Sequence, residues 1–370
     1  MRILLTGTRA PVALDLARAF RACGHDVHGA DTWPVAVMAG ELDSFTACPS
    51  PRFRPDAFVR DAEALMARLK PDLVVPLCEE VFYWAQISGP HGWPLFAPDL
   101  TTLMRLHSKF AFIELAQSLG LSVPKTQRLQ KDSEIRGANQ SVFKPEFSRF
   151  GSRVLIGPKA LELSHDPANP WLQQTLIPGE DVCFHAIARK GQIRAFSAYR
   201  SAWRTSGGAS YYFDPVDENL NQQLMIIAAT LAQSLDLTGQ IACDLRLDVE
   251  GRPWLIECNP RATSGLHLLA HDPERLTAAF LTDAADLHLT DGRPACIGPA
   301  MRLSGWPRAV RDGRLGPWRR DMARARDVFS GTGHRAYTGA ASLIVRAALA
   351  GRSLSDFLTA DFECNRDLTC

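Results

Sequence analysis

The 370-residue chain carries 41 basic against 40 acidic side chains, a near-neutral balance that offers no electrostatic case for nucleic acid or an anionic membrane as its main partner. With 46% hydrophobic and 22% charged residues it has the composition of a soluble globular protein, long enough for two or three domains. No apolar run reaches membrane-spanning length, and nine scattered cysteines without a CxxC pair point to reduced thiols in a cytoplasmic protein rather than to disulfides or zinc. The chain opens directly on a strand pattern, so no signal peptide is expected.

Met1 to Gly7 is a continuous apolar run, the mark of a strand buried on both faces. Val12 to Cys23 has helical periodicity and Gly24-His25 stops it; Val27 to Ala30 is a second strand ending at Asp31. The order strand, helix, strand predicts a doubly wound parallel sheet of Rossmann-like type. It invites a dinucleotide reading, but TGTRAPVAL has one glycine where three are wanted, so a structural βαβ unit is the better expectation. Phe58 to Leu69 reads as an amphipathic helix, Leu73 to Leu77 as a buried strand and Pro94 to Ala97 as another. Glu79 and Glu80 follow the Leu73–Leu77 strand at its carboxyl end, where open α/β sheets bind ligands; helix N-terminal acids facing the dipole are the plainer reading.

Leu103 to Gly120 reads as one helix, with Lys109 on it and an extended exit at Leu121 to Pro124. Ser141 to Pro145 is a strand with Lys144 near its end, followed by EFSRFGSRV with the single glycine Gly151. Leu172 to Asp181 reads as an edge strand and a turn, and Asp181 to Ala188 with Gln192 to Ser197 as a hairpin. Arg200 and Arg204 flank a small-residue loop, which suggests an anion site with Arg200 as the first choice for a phosphate or carboxylate clamp and Arg204 as the second; a surface loop is the alternative. Asn219 to Leu235 is an amphipathic helix.

The next stretch, QIACDLRLDVEGRPWLIECNPR, holds two strands, Ile241 to Asp248 and Pro253 to Asn259, joined by a turn at Glu250-Gly251. A hairpin symmetric about that turn sets Asp244 directly opposite Glu257, with Asn259 on the same face. Like charges so placed are destabilising. A hard divalent cation supplies the reason, since Mg²⁺ takes oxygen ligands and is commonly held by one or two carboxylates together with phosphate oxygens and water. The alternative is a solvated sheet face paired with Arg246 and Arg261. Cys243, Leu245, Ile256 and Cys258 on the other face are expected in the core.

An Asp on one strand followed by Glu-x-Asn-Pro-Arg on the next, here within WLIECNPRATSG, resembles the magnesium-binding hairpin of the ATP-grasp superfamily, in its carbamoyl-phosphate-synthase-like and biotin-carboxylase-like branch of carboxylate–amine ligases. The upstream elements stand in the family's order over about residues 1–290. The resemblance implies that Asp244, Glu257 and Asn259 hold Mg²⁺, with Mn²⁺ as an alternative, on the ATP phosphates, and that Arg261 contacts phosphate or substrate. It implies that Lys109 reaches a nucleotide phosphate and that Lys144, in a Val-x-Lys-Pro pattern, lies over the α- and β-phosphates. Where relatives carry a glycine-rich loop, Ser148, Arg149 and Ser152 are the side chains left to contact phosphate. By the same resemblance Gln174 and the backbone of Thr175 and Leu176 read the adenine edge, and Asp181, or Glu180 in its place, takes the ribose hydroxyls.

Beyond Arg261, His267 and His271 lack a third ligand, so packing is expected rather than zinc. Met301 to Asp327 is rich in arginine and tryptophan, for which local ion pairs are expected; Ala340 to Ala350 reads as a helix, and the tail Asp361 to Asn365 has no role the sequence supplies. The expected architecture is α/β, α+β in the grasp part: a Rossmann-like domain over residues 1–102, a two-part ATP-grasp domain over 103–290 with a lid at about 125–175, and an extension over 291–370. The resemblance implies a ligase that activates a small-molecule carboxylate as an acyl-phosphate and joins it to an amine, with ATP and Mg²⁺, and a homodimer as an expected assembly. The alternatives are a carbamoyl-phosphate-type or purine-type outcome at the same site, an NAD(P)-dependent oxidoreductase using the N-terminal sheet, and a degenerate fold that binds nucleotide without turnover.

Overall fold

The computed structural model describes residues 1–370 except 132–133, 149–153, 158–162, 164–165, 205–208, 284–286 and 369–370. The chain starts as an alternating α/β unit: β1 (Arg2–Thr6), α1 (Val12–Ala22), β2 (Asp26–Asp31), β3 (Ser44–Ala47), α2 (Pro55–Leu69), β4 (Leu73–Pro76) and α3 (Glu80–His91). The four strands are parallel in the order β3-β2-β1-β4. Ile3, Leu4 and Leu5 are fully buried, as a strand covered on both faces requires. Pro94 to Ala97, expected as a strand, makes a single bridge from Leu95 to Val74.

The lone glycine of the first turn has a physical reason. Gly7 has φ +66°, and a Cβ there would lie 2.6 Å from Glu80 Oε1. That carboxylate accepts from the Thr6 hydroxyl at 2.9 Å and from the N–H groups of Leu77 at 2.9 Å and Cys78 at 3.2 Å. It therefore occupies the place where a pyrophosphate would approach the backbone. Asp31, the residue a ribose would need, is bonded to the backbone N–H of Arg9 at 2.8 Å and to its Nε at 2.9 Å. Both observations oppose the dinucleotide reading of this sheet.

The expected helix from Leu103 to Gly120 is two helices, α4 (Leu100–His107) and α5 (Lys109–Ser118). Ser108 breaks it with φ −62° and ψ 113°, and its hydroxyl accepts from the Ala111 N–H as the cap of α5. The same hydroxyl donates to Glu146, which Arg128 also holds at 2.7 Å, so a buried tertiary bond outweighs the helical periodicity.

A four-stranded antiparallel sheet follows, from β5 (Thr126–Leu129), β6 (Ser141–Pro145), β7 (Leu155–Ile156) and β8 (Trp171–Thr175), in the order β5-β8-β6-β7. The central sheet has eight strands. β9 (Glu180–Arg189) and β10 (Gln192–Arg204) form a long hairpin, and β11 (Ser210–Pro215) follows. After α6 (Glu218–Ser234) come β12 (Gly239–Leu247) and β13 (Pro253–Asn259), which put β13 at one edge of the sheet. α7 (Pro273–Leu281), β14 (His288–Leu289), β15 (Ala295–Cys296) and β16 (Arg326–Asp327) complete this part, with β15 and β16 lengthening the sheet beyond β11. One face of the sheet packs on α5 and α6 through Phe112, Leu224, Phe184 and Ile241; toward the other, Ile187 and Ala195 join Leu14, Phe20 and Phe280 in a core shared with the N-terminal unit.

The arginine-rich segment is locally paired: Arg302 with Asp327 at 3.1 Å, Arg308 with Asp312 at 3.4 Å and Arg324 with Asp214 at 3.8 Å. Among the described residues no helix is long and apolar enough to cross a membrane.

A buried cluster fastens the N-terminal unit to this core. Asp15 on α1 meets His267 Nδ1 at 2.7 Å and Arg326 Nη2 at 2.9 Å, and Arg326 also donates to the His267 carbonyl at 2.6 Å. His267 thus serves packing, as expected. Burial opposes the Asp15 charge, yet His267 and Arg326 hold its carboxyl below the ordinary range. A depressed carboxyl contributes stability above the unfolded value near pH ~4, and that contribution is lost as pH falls through the folded value. We expect Asp15→Asn to cost about 3 kcal/mol at neutral pH, as breaking a buried pair does, and to lose less stability on acidification than the parent. Thermal melts of both proteins between neutrality and acid check this.

Candidate active site

The β12–β13 hairpin has the expected register at its open end: Asp244 opposes Glu257, Cys243 opposes Cys258, and Ala242 opposes Asn259. Toward the turn the register slips by one, with Leu245 opposite Leu255 and Ile256 left as the extra residue of a bulge. Leu255 therefore fills the core position that symmetry assigned to Ile256, and Ile256 is only half-buried. The bulge has a use. The unpaired carbonyl of Ile256 accepts from Lys144 Nζ at 3.4 Å, which brings the lysine of β6 onto the carboxylate pair.

Lys109 arrives from the other side. As the first residue of α5, beside the edge strand, its Nζ lies 3.5 Å from Glu257 Oε2 and donates to the Ser148 carbonyl at 2.8 Å. Both lysines are buried, at 4% exposure for Lys109 and 3% for Lys144. Burial and the neighbouring Lys109 depress Lys144 to about 8, against the pull of Glu257 and Asp244. Although burial alone would raise it, Glu257 is held below its ordinary range by Lys109 and Lys144. Asp244 goes the other way, pushed up to about 6 by burial and by the facing Glu257. Its oxygens are also engaged: Cys183 Sγ donates to Oδ1 at 2.9 Å and Asn259 Nδ2 to Oδ2 at 3.2 Å.

Arg261 leaves the end of β13 and turns back, donating from Nη2 to Asn259 Oδ1 at 3.0 Å. Its Nε is 3.9 Å from Glu79 Oε1, so the turn after β4 of the N-terminal unit reaches the hairpin. Asp244, Glu257, Asn259, Lys109, Lys144, Arg261 and the backbone of Ser148 are thereby brought together. Arg149 and Ser152 lie outside the described residues.

The segment after β8 differs from expectation. Gln174 is buried and donates to the Thr126 hydroxyl at 3.0 Å. The N–H groups of Thr175 and Leu176 donate to the carbonyls of Lys125 and Gln140, both at 2.9 Å, because this end of β8 is tied to chain on both sides. Both N–H groups are thereby engaged within the protein. The following turn is pinned by Arg246, which donates to the Ile177 carbonyl at 3.2 Å, the Gly179 carbonyl at 2.6 Å and Asp181 Oδ1 at 2.6 Å. Gly179 has φ +146°, and a Cβ on it would meet the Leu247 carbonyl at 1.7 Å, so only glycine passes β12 this closely.

Arg200 lies within β10, and strand parity sets its direction. Tyr199 opposes Cys183 and shares the Asp244 face, so Arg200 points to the opposite face. There it meets Glu180 at 3.1 Å and Asp217, the cap of α6, at 4.0 Å. The structure thus keeps Arg200 and Glu180 away from the carboxylate pair. Arg204 is the arginine on the Asp181 side, at 3.1 Å. Cys183 is the neighbour of the site that sequence reasoning missed; Arg246, weighed above as a partner of the carboxylate face, instead pins the turn before β9, and Glu79, expected at the ligand end of the sheet, reaches Arg261.

Among the described residues no three His, Cys, Asp or Glu side chains form a metal-binding group. The hairpin offers two carboxylates and one amide, an all-oxygen set that fits Mg²⁺ completed by phosphate oxygens and water better than a resident metal held by protein alone.

The ATP-grasp domain family matches residues 106–265. No curated protein matches the chain by sequence. Among solved structures, the fold is similar to an N5-carboxyaminoimidazole synthetase from Staphylococcus aureus complexed with ADP, at TM-score 0.63 and 13% identity over 82% of this chain and 84% of that one. It is similar to a biotin carboxylase from Campylobacter jejuni, at 0.60 and 12% identity over 77% and 72%. An L-amino acid ligase from Bacillus licheniformis matches at 0.56 and 13% identity over 76% and 74%.

We expect Arg246→Ala to speed backbone hydrogen exchange across residues 177–181 by about tenfold, the scale of lost charge-assisted bonds, and Arg200→Ala, which loses a side-chain contact to Glu180 and no bond to this backbone, to change those amides less. Exchange measured by mass spectrometry on the two variants checks it.

Proposed function

We propose that this chain, whose residues 106–265 match the ATP-grasp domain family, is a ligase that activates a carboxylate with ATP as an acyl-phosphate and passes the acyl group to an amine, releasing ADP and phosphate. The observation that carries the reading is the arrangement at Glu257: it faces Asp244 across the hairpin, with Asn259 on the same face and two buried lysines directed at it.

In this reading Asp244, Glu257 and Asn259 hold Mg²⁺ against the ATP phosphates, and Mn²⁺ would suit the same oxygens. The chemistry the cation supplies when bound is neutralisation of charge on the phosphoryl oxygens. Lys109 and Lys144 serve in two states. Without nucleotide they neutralise Glu257; with it they are placed to face phosphate oxygens as point charges. Arg261, steadied by Asn259 and Glu79, is the cation nearest the N-terminal unit and is assigned to the substrate carboxylate or the transferred phosphoryl group. Asp181, at the start of β9, and Arg204, at the end of β10, are assigned to the sugar's side of the site. The small-molecule acid and amine are proposed as classes only. Bicarbonate stays among the acids to test, since the fold is shared with carboxylating enzymes.

Two measurements test the reading. Incubation with Mg·ATP, candidate acids and hydroxylamine should yield hydroxamates and ADP, because hydroxylamine captures acyl-phosphates; ATP binding with no acid-dependent ADP release across amino acids, hydroxy acids and bicarbonate would sink the ligase assignment. Glu257→Gln should abolish the Mg²⁺-dependent gain in ATP affinity by calorimetry and lower turnover by about 100-fold or more. Near-parental values in that variant would remove the metal role.

A further inference from the structure

The tail Asp361 to Asn365, left without a role by the functional reading, is built into the molecule. Phe362 and Cys364 are 2% and 1% exposed. The Asp361 carboxylate accepts from Arg9 at 2.8 Å and from the Thr32 hydroxyl at 2.9 Å, and its carbonyl accepts from Ser50 at 2.6 Å. The Arg9 guanidinium lies between the rings of Trp33, at 4.3 Å, and Phe362, at 4.8 Å. Arg9 and Thr32 follow β1 and β2, so the tail runs along the carboxyl ends of the parallel strands, the crevice where open α/β sheets bind ligands.

The decisive contact is one residue's main chain. The Cys364 N–H donates to Glu79 Oε2 at 3.0 Å, and the Cys364 carbonyl accepts from His107 Nε2 at 2.8 Å. Burial depresses His107, so its neutral ring carries the proton on Nε2 that this carbonyl needs. Each partner opens a path to the carboxylate pair. From Glu79 the path runs through Arg261 at 3.9 Å, Asn259 at 3.0 Å and Asp244 at 3.2 Å. From His107, the last residue of α4, it runs through the break at Ser108 to Lys109, 3.5 Å from Glu257.

We propose that the main chain of Cys364 is a positioning element of the nucleotide and metal site, holding Glu79 so that Arg261 and Asn259 keep Asp244 oriented, and holding His107 at the break that presents Lys109. The inference rests on the reading of the hairpin as a Mg·ATP site. It gives the tail a part in activity, where simple packing would make Phe362 the residue that matters and leave a single N–H without consequence. Outer contacts of this kind typically weigh about tenfold or more on metal affinity.

The test is calorimetric titration of the full chain with ATP, with and without Mg²⁺, on four variants. Cys364→Ala keeps the N–H, and Cys364→Pro removes it. Glu79→Gln keeps an acceptor for it, and Glu79→Leu does not. We expect Cys364→Ala within about twofold of the parent for Mg·ATP, Cys364→Pro and Glu79→Leu weaker by about tenfold, and Glu79→Gln weakened less than Glu79→Leu because it keeps the acceptor while losing the charge that faces Arg261, with Mg²⁺-free ATP affinity changed less in every case. Loss confined to the Mg²⁺-dependent part is something a general loosening of the fold would not produce. Equal Mg·ATP affinity within each pair overturns the proposal while the site reading stands, as does a loss shared equally by Mg²⁺-free ATP. A parent protein that binds no Mg·ATP overturns both. Should Cys364→Pro not fold, the Glu79 pair decides alone.

Discussion

Two carboxylates facing each other across adjacent strands are the constraint on which the rest of this structure depends. At about 4 Å and an effective dielectric near that of a protein surface, a unit charge pair is worth roughly 4 kcal/mol. A hairpin with Asp244 opposite Glu257 therefore needs opposite charge close by. Lys109 and Lys144 supply it from outside the hairpin, and the consequences spread. The ammonium of Lys144 enters because a bulge frees the Ile256 carbonyl. That of Lys109 enters because the helix breaks at Ser108. Neither irregularity is a local preference of its sequence; each delivers a cation to one acid.

The distribution of charge is unequal, and the inequality is informative. Both lysines favour Glu257, which is held down, while Asp244 is pushed up to about 6. Among the described residues, the hydrogen bonds to the Asp244 carboxylate come from an amide and a thiol, Asn259 and Cys183, while Arg261 offsets its charge from farther off. In the proposed reading a divalent cation with phosphate ligands would add positive charge on the Asp244 side, and the phosphates would give the lysines new partners.

What could be read from the sequence follows the range of each interaction. The hairpin was legible because Glu250-Gly251 fixes a turn and alternation fixes two faces, so Asp244, Glu257 and Asn259 fell together without any long-range information. The slip at Ile256 was not, because a bulge answers to Lys144 on a distant strand. The helix break was hidden behind unbroken periodicity for the same reason, its cause being Glu146. Arg200 was misplaced because proximity to a small-residue loop says nothing about strand parity, and parity sends it to the α6 face. The α/β fold class was legible throughout, since buried parallel strands and amphipathic helices announce themselves in short windows. Cys183 and Cys364 were invisible as neighbours of the site, since each acts across a separation that spacing does not encode.

The separation between chemistry and selectivity follows from the same geometry. The carboxylate pair and its lysines come from the central sheet, α5 and β6, the parts within residues 106–265. Arg261, the cation at the border, is instead steadied by Glu79 of the N-terminal unit, and Glu79 in turn by the tail. In the proposed reading, a substrate acid approaching Arg261 would meet a wall contributed by the start and the end of the chain. Proteins that share this fold act on substrates as different as a biotin carboxylase's and an L-amino acid ligase's, so the fold alone cannot choose among acids. On the proposed reading the choice would fall on side chains around that border, because the hairpin face is already committed to balancing its own charge.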